Sequence, residues 1–70
     1  MMQSIEVPAG PKEIRMFKVK ISQYELAKRC RVSQPRISLI ENGLVKPTHI
    51  EKAKIAAGLG VDEIKICWPR

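Results

Sequence analysis

Cysteine and histidine are scarce in this chain, which carries Cys30, Cys67 and a single histidine, His49, in 70 residues. Two thiols so far apart support neither a disulfide framework nor a zinc site, and a reducing compartment keeps them reduced. Cys30 is read as a small apolar packing residue. Clustered carboxylates are lacking too, so no nucleophile–base pair or metal site can be assembled, and neither an enzyme nor a cofactor is expected. Long apolar runs are missing, the longest falling far below the ~18 residues of a membrane span. The opening MMQSIEVPAG has neither the charged start nor the apolar run of a signal peptide, so a cytoplasmic location is expected. Repeats, low-complexity tracts and glycine-rich phosphate loops are also absent.

What the chain does have is positive charge in one place. Its formal charge is +6, with a pI near 9.8. Lys12, Arg15, Lys18, Lys20, Lys28, Arg29, Arg31 and Arg36 face only Glu13 and Glu25 in the same stretch, an imbalance equal to the whole net charge. A localised positive field points to a polyanion, either nucleic acid or an acidic surface, against the plainer alternative of a solvated basic face. A chain this short supports one domain, as a compact helical packing or a stapled scaffold.

Local signals divide the chain into an arm at residues 1–10, a domain at 11–66 and a tail at 67–70. Pro8, Gly10 and Pro11 interrupt regular structure at the start, although SIEV is a candidate short strand. Pro11 suits the first turn of a helix running through Ile14 and Phe17 and ending near Lys18 or Val19. Ser22 with Glu25 forms a capping-box pattern that starts a second helix at Gln23, with Leu26, Ala27 and Cys30 on its apolar side and an end near Cys30 or Arg31. Ser33 is the next N-cap, and Pro35 is tolerated in a first turn that has no intrahelical partner for its N–H. Ile37 and Ile40 face inward on this third helix, roughly Gln34 to Glu41, which Gly43 stops. Thr48 with Glu51 opens a fourth helix through Ile50, Ala53, Ile55 (or Lys54), Ala57 and Leu59, closed by Gly58 or Gly60. Asp62 caps a last short turn with Ile64, and KICWPR is open between helix end, strand and tail. His49 is expected to lie exposed near the start of the fourth helix.

The second and third helices, separated by a few residues, have the form of a helix-turn-helix, whose second helix can lie in the DNA major groove. The segment Ile21 to Ile64 resembles the lambdoid phage repressor and Cro family, also called the Xre family, in SQYELA (22–27), VSQ (32–34), ISLIENG (37–43), Pro47 and GLGVDEI (58–64). The resemblance implies an all-α fold, a compact four- to five-helix bundle with a lambda repressor-like helix-turn-helix. It implies a sequence-specific transcriptional regulator of Cro or repressor type and of phage or mobile-element origin, bound as a homodimer to a two-fold operator in double-stranded DNA, with no membrane partner.

Residue by residue, the resemblance assigns Gln34, Pro35, Ser38 and Leu39 to base edges. Gln34 is the main reader, because a carboxamide pairs in two places with adenine. Gln23 would donate to a phosphate and brace Gln34, while Asn42 and Lys46 would contact the backbone; Arg36, beside the departure at Pro35, would compensate by reaching a phosphate. Each assignment has a plainer alternative: Gln23 and Gln34 as solvated helix starts, Leu39 packed on a neighbour, Asn42 as a turn former. Glu41 is read as structural. Lys20 and Arg31 depart from the family by standing where glycine is usual, at a left-handed cost of roughly 1 kcal/mol. Pro35 stands where a base reader is frequent and offers apolar contact only. With the chain ending soon after the fifth helix, no separate ligand or oligomerisation domain is expected, and the likeness is to Cro more than to a full repressor. The alternative function is an antitoxin or adaptor that binds a protein partner through the same domain, with MMQSIEV and KICWPR as contact segments. Trp68 would then be either an interface anchor or simply a cover for the core.

Overall fold

The structure is a computed structural model that describes residues 9–69. The SIEV segment, most of the arm and Arg70 lie outside the described residues. Four helices and one 3-10 turn follow in order. They are α1 (Pro11–Glu13) continued by a π-helix (Ile14–Val19), α2 (Gln23–Cys30), α3 (Gln34–Glu41), α4 (His49–Leu59) and the 3-10 turn Glu63–Lys65. The fold is all-helical and lambda repressor-like, with α2 packed against both α3 and α4.

Short helices are costly to nucleate alone, so caps and burial must hold them. Ser22 Oγ accepts from the Glu25 N–H (3.0 Å), Ser33 Oγ from Arg36 N–H (3.3 Å) and Thr48 Oγ1 from Glu51 N–H (3.1 Å). At Thr48 the box is reciprocal, since the Glu51 carboxylate takes the Thr48 N–H at 2.9 Å. At Ser22 only one half of the expected box forms. The Glu25 carboxylate turns along the helix to Arg29 (3.2 Å) and Lys28 (3.8 Å), as i,i+4 and i,i+3 spacings favour. Lys20 (φ 63°) and Arg31 (φ 59°) do close their helices in left-handed conformations without glycine.

The core is built from Ile14, Leu26, Cys30, Val32, Ile37, Ile40, Ile55, Ala56, Leu59 and Ile66. Leu26, Ile37, Ile40 and Ile55 are fully enclosed, and such side chains contribute roughly 1.5–3 kcal/mol each. Two expectations fail here. On α4 the buried set is Ile55, Ala56 and Leu59, whereas Ile50, Ala53 and Ala57 point to solvent. The helix carries two apolar stripes about two-fifths of a turn apart, and α2 covers only one of them. On the first helix, Phe17 is 71 % exposed while Arg15 turns inward. The cause is the π-helical bonding, in which the Lys20 N–H donates to the Arg15 carbonyl at 2.7 Å and shifts residues out of the three-and-four spacing.

Glycine position is also resolved. Gly60 (φ 73°) ends α4, and Gly58 lies inside the helix where α2 comes closest. A Cβ at Gly58 would stand 3.1 Å from both Cys30 Cβ and Leu26 Cδ1. Arm and tail meet as well: Ala9 forms a parallel bridge with Ile66, and the Cys67 N–H donates to the Ala9 carbonyl at 2.9 Å. Trp68 is half-buried against the core.

Candidate DNA interface

The third helix presents two different faces because its caps and core contacts fix its rotation. Ile37, Ile40 and Glu41 are buried, while Gln34, Pro35 and Leu39 are exposed and Ser38 is half-exposed. Among the described residues the Gln34 side chain makes no hydrogen bond, so both its donor and its acceptor face outward. Ser38 accepts at its carbonyl from Asn42 Nδ2 (2.9 Å) and lies 3.5 Å from the same nitrogen through Oγ. Asn42 therefore acts as a C-terminal cap, with its N–H also on the Ser38 carbonyl at 3.1 Å. Gly43, at φ 73°, then donates to the Ile40 carbonyl and turns the chain toward Lys46.

Beneath this face lies a buried ion pair that sequence reading did not find. Arg15 Nε and Nη2 grip the Glu41 carboxylate at 2.8 and 3.2 Å, and Nη1 donates to the Ile21 carbonyl at 2.8 Å. Gln23 Nε2 donates to the same Glu41 oxygen at 3.0 Å. The expected brace between Gln23 and Gln34 is replaced by this contact: the carboxylate at the far end of α3 is the stronger acceptor within reach of α2's first turn. The network ties the first helix, the start of α2 and the end of α3 together, which fixes the angle between the two helices of the motif. Arg15 and Glu41 are 26 positions apart, a separation no local pattern encodes.

Arg36 also has protein partners that no local pattern encodes. Its Nε and Nη2 bind the Glu51 carboxylate at 2.7 and 3.1 Å, and Nη2 lies 3.4 Å from the Lys46 carbonyl. The guanidinium thus clamps the start of α4 and the loop to α3, with Nη1 making no hydrogen bond among the described residues. The Arg36 hydrogen bond holds the Glu51 carboxyl below the usual carboxylate range against partial burial, with the Thr48 N–H adding to the effect. Burial pushes the Cys30 thiol up, in keeping with its packing role.

The basic field is redistributed accordingly. Arg15 belongs to the interior, and Lys28, Arg29 and Arg36 have carboxylate partners. Lys18, Lys20, Arg31 and Lys46 are exposed and form no ion pair among the described residues. His49 is exposed at the start of α4. No helix among the described residues is long and apolar enough to cross a membrane.

Two short capped helices joined by a tight left-handed turn, with a polar outer face on the second and a single core beneath, define a helix-turn-helix domain of the DNA-binding kind. A family model described as helix-turn-helix matches residues 12–66, and the chain belongs to that family, the Xre or lambda repressor-like group. The family is one of DNA-binding regulatory domains, generally without enzymatic activity. No curated protein and no solved structure matches the chain.

Proposed function

We propose that this protein is a sequence-specific DNA-binding repressor of Cro type, from a phage or mobile element, acting as a homodimer on a two-fold operator. The observation that carries the reading is the exposed, unbonded carboxamide of Gln34 at the first turn of a helix whose opposite face is locked in the core. Gln34 reads a base edge, while Pro35 and Leu39 offer apolar contact to a thymine methyl and Ser38 adds a hydroxyl. Lys46 and Gln23 meet phosphates. Gln23 keeps one amide hydrogen for this after serving Glu41, and Asn42 shapes the loop that presents Lys46. Arg36 has Nη1 left for the backbone, and its larger part is to hold the loop. Repression follows from occlusion, since a bound dimer covers the site a polymerase or competing regulator needs. In the antitoxin or adaptor reading Trp68 is the protein-binding anchor, but its ring is already engaged by the core and by Lys52.

Selection of bound sequences from random duplex DNA tests the proposal. A palindromic consensus is the expected result. Enrichment of no sequence above background, with the protein folded, would remove the base-reading role.

A further inference from the structure

Among the described residues, two open concavities differ in their chemistry. One lies between Lys18, Lys65 and the end of α4, and it includes Asp62, so its charge is mixed. The other, of about 310 Å³, is lined by Lys46, Pro47, Lys52, Trp68 and Pro69, with no acidic side chain. Lys52 Nζ stands 5.8 Å from the centroid of the Trp68 ring, which holds the ammonium at the cleft instead of leaving it free to sweep solvent. Trp68 is itself held, half-buried on the core, and the Cys67 N–H bond to Ala9 fixes the backbone just before it. At the other lip, the Lys46 carbonyl lies 3.4 Å from Arg36 Nη2 of the recognition helix. The nearest carboxylate on α4, Glu51, is spent on Arg36 and so does not neutralise the lysines.

We infer that this cleft is a seat for a phosphodiester of duplex DNA, in which Lys46 and Lys52 meet the phosphate oxygens across a floor of Trp68 and prolines. The inference rests on the DNA-binding reading above and extends the interface beyond the helix-turn-helix to the C-terminal segment. The ligand is anionic because both charged side chains that line the cleft are ammonium groups. It is DNA because one of them, Lys46, belongs to the loop that leaves the recognition helix, so a strand tracked by that loop runs on into the cleft. Ammonium groups act on phosphates as point charges and carry no base information. The seat therefore sets affinity and register and leaves sequence preference to α3.

Trp68 is the sole tryptophan, so its emission reports on the cleft directly. Titration of the full chain with a random-sequence duplex at low salt should change Trp68 emission as the complex forms. Lys52→Gln should weaken binding several-fold and lower the slope of log affinity against log salt by about 0.9 per bound protomer. Lys52→Arg, which keeps the charge over the ring, should restore both. Lys65→Gln removes the same charge from the other concavity and should leave the slope unchanged. A wild-type slope in Lys52→Gln, or the same Trp68 emission free and bound, would overturn the seat while DNA binding stands. A wild-type chain that binds no duplex overturns the DNA-binding reading and the seat together. If Lys52→Gln does not melt cooperatively, the wild-type emission titration decides alone.

Discussion

Gln34 opens α3 and Lys46 lies in the loop that follows it; both are exposed polar residues, yet their loss should be felt in different quantities. A carboxamide that pairs with one base discriminates by about 1–3 kcal/mol, so Gln34→Ala should cost that on the preferred site and hardly alter binding to random DNA. Lys46→Ala should weaken every sequence alike and reduce the salt slope by about one phosphate per site occupied. Equal losses on matched and mismatched duplexes for both variants would move base reading away from Gln34. Gln23 belongs in the same comparison. Its amide is bonded to Glu41 at 3.0 Å and not to Gln34, so Gln23→Ala and Gln34→Ala should be additive, as for side chains that share no partner. The plain readings also hold at some positions. Asn42 caps α3, Cys30 packs in the core and Trp68 covers it.

At the level of elements, what was legible in the chain was what is local. Ser22, Ser33 and Thr48 cap the helices they precede because an N-cap needs only its own next three residues. Gly43 follows the same local logic, and a 3-10 turn does follow Asp62, although the Asp62 side chain makes no capping hydrogen bond. The π-helical stretch, the inward turn of Arg15 and the choice between the two stripes of α4 were not legible, because each is decided by what packs there from elsewhere in the chain. The Arg15–Glu41 pair is the clearest case, and it has a measurable consequence. Removing one member of a buried pair leaves a charge without compensation, at a cost of about 3–5 kcal/mol, whereas replacing both with apolar residues is often close to neutral. Glu41→Leu and Arg15→Met should each lower the denaturation midpoint strongly, and the double variant should recover much of the loss. Additive losses in chemical denaturation would mean the two side chains act independently.

The second ion pair between elements is sensitive to acid. Glu51 titrates below its unfolded value of about 4.3 because Arg36 bonds its charged form. A depressed carboxyl contributes stability that is complete above the unfolded value and lost as pH falls through the folded one. Glu51→Gln retains the capping geometry with Thr48, since glutamine serves at that position, and deletes only the charge. The melting temperature of wild type should exceed that of Glu51→Gln near neutrality, and the gap should narrow progressively as pH falls below the unfolded value of about 4.3. A gap constant from neutral to strongly acid pH would show that the Arg36 clamp adds nothing as an ion pair.

For the whole molecule, the lambda repressor-like fold and the family were legible from the order and spacing of motifs, while the surface field was not, since Arg15 counts in the charge yet lies inside. The exposed cations without an ion-pair partner among the described residues lie on the first helix and in the turn after it, in the turn after α2, in the loop after α3, on α4 (Lys54) and in the 3-10 turn (Lys65). The one helix that would read bases has eight residues. One such helix reads only a few base pairs, so useful selectivity among many competing sites requires two copies. Two copies related by a two-fold axis place their recognition helices in successive major grooves on one side of the duplex. Half-sites should therefore lie about 10 base pairs apart, centre to centre. Inserting about 5 base pairs between them, by the same helical repeat, turns the second half-site to the opposite side and should abolish cooperative occupancy, while about 10 should spare part of it only if the protomers can stretch. Footprinting with mass measurement of the saturated complex reads both quantities. A protected single half-site carrying one protomer at saturation would rule out the dimer and leave the phosphate contacts to supply selectivity they do not carry.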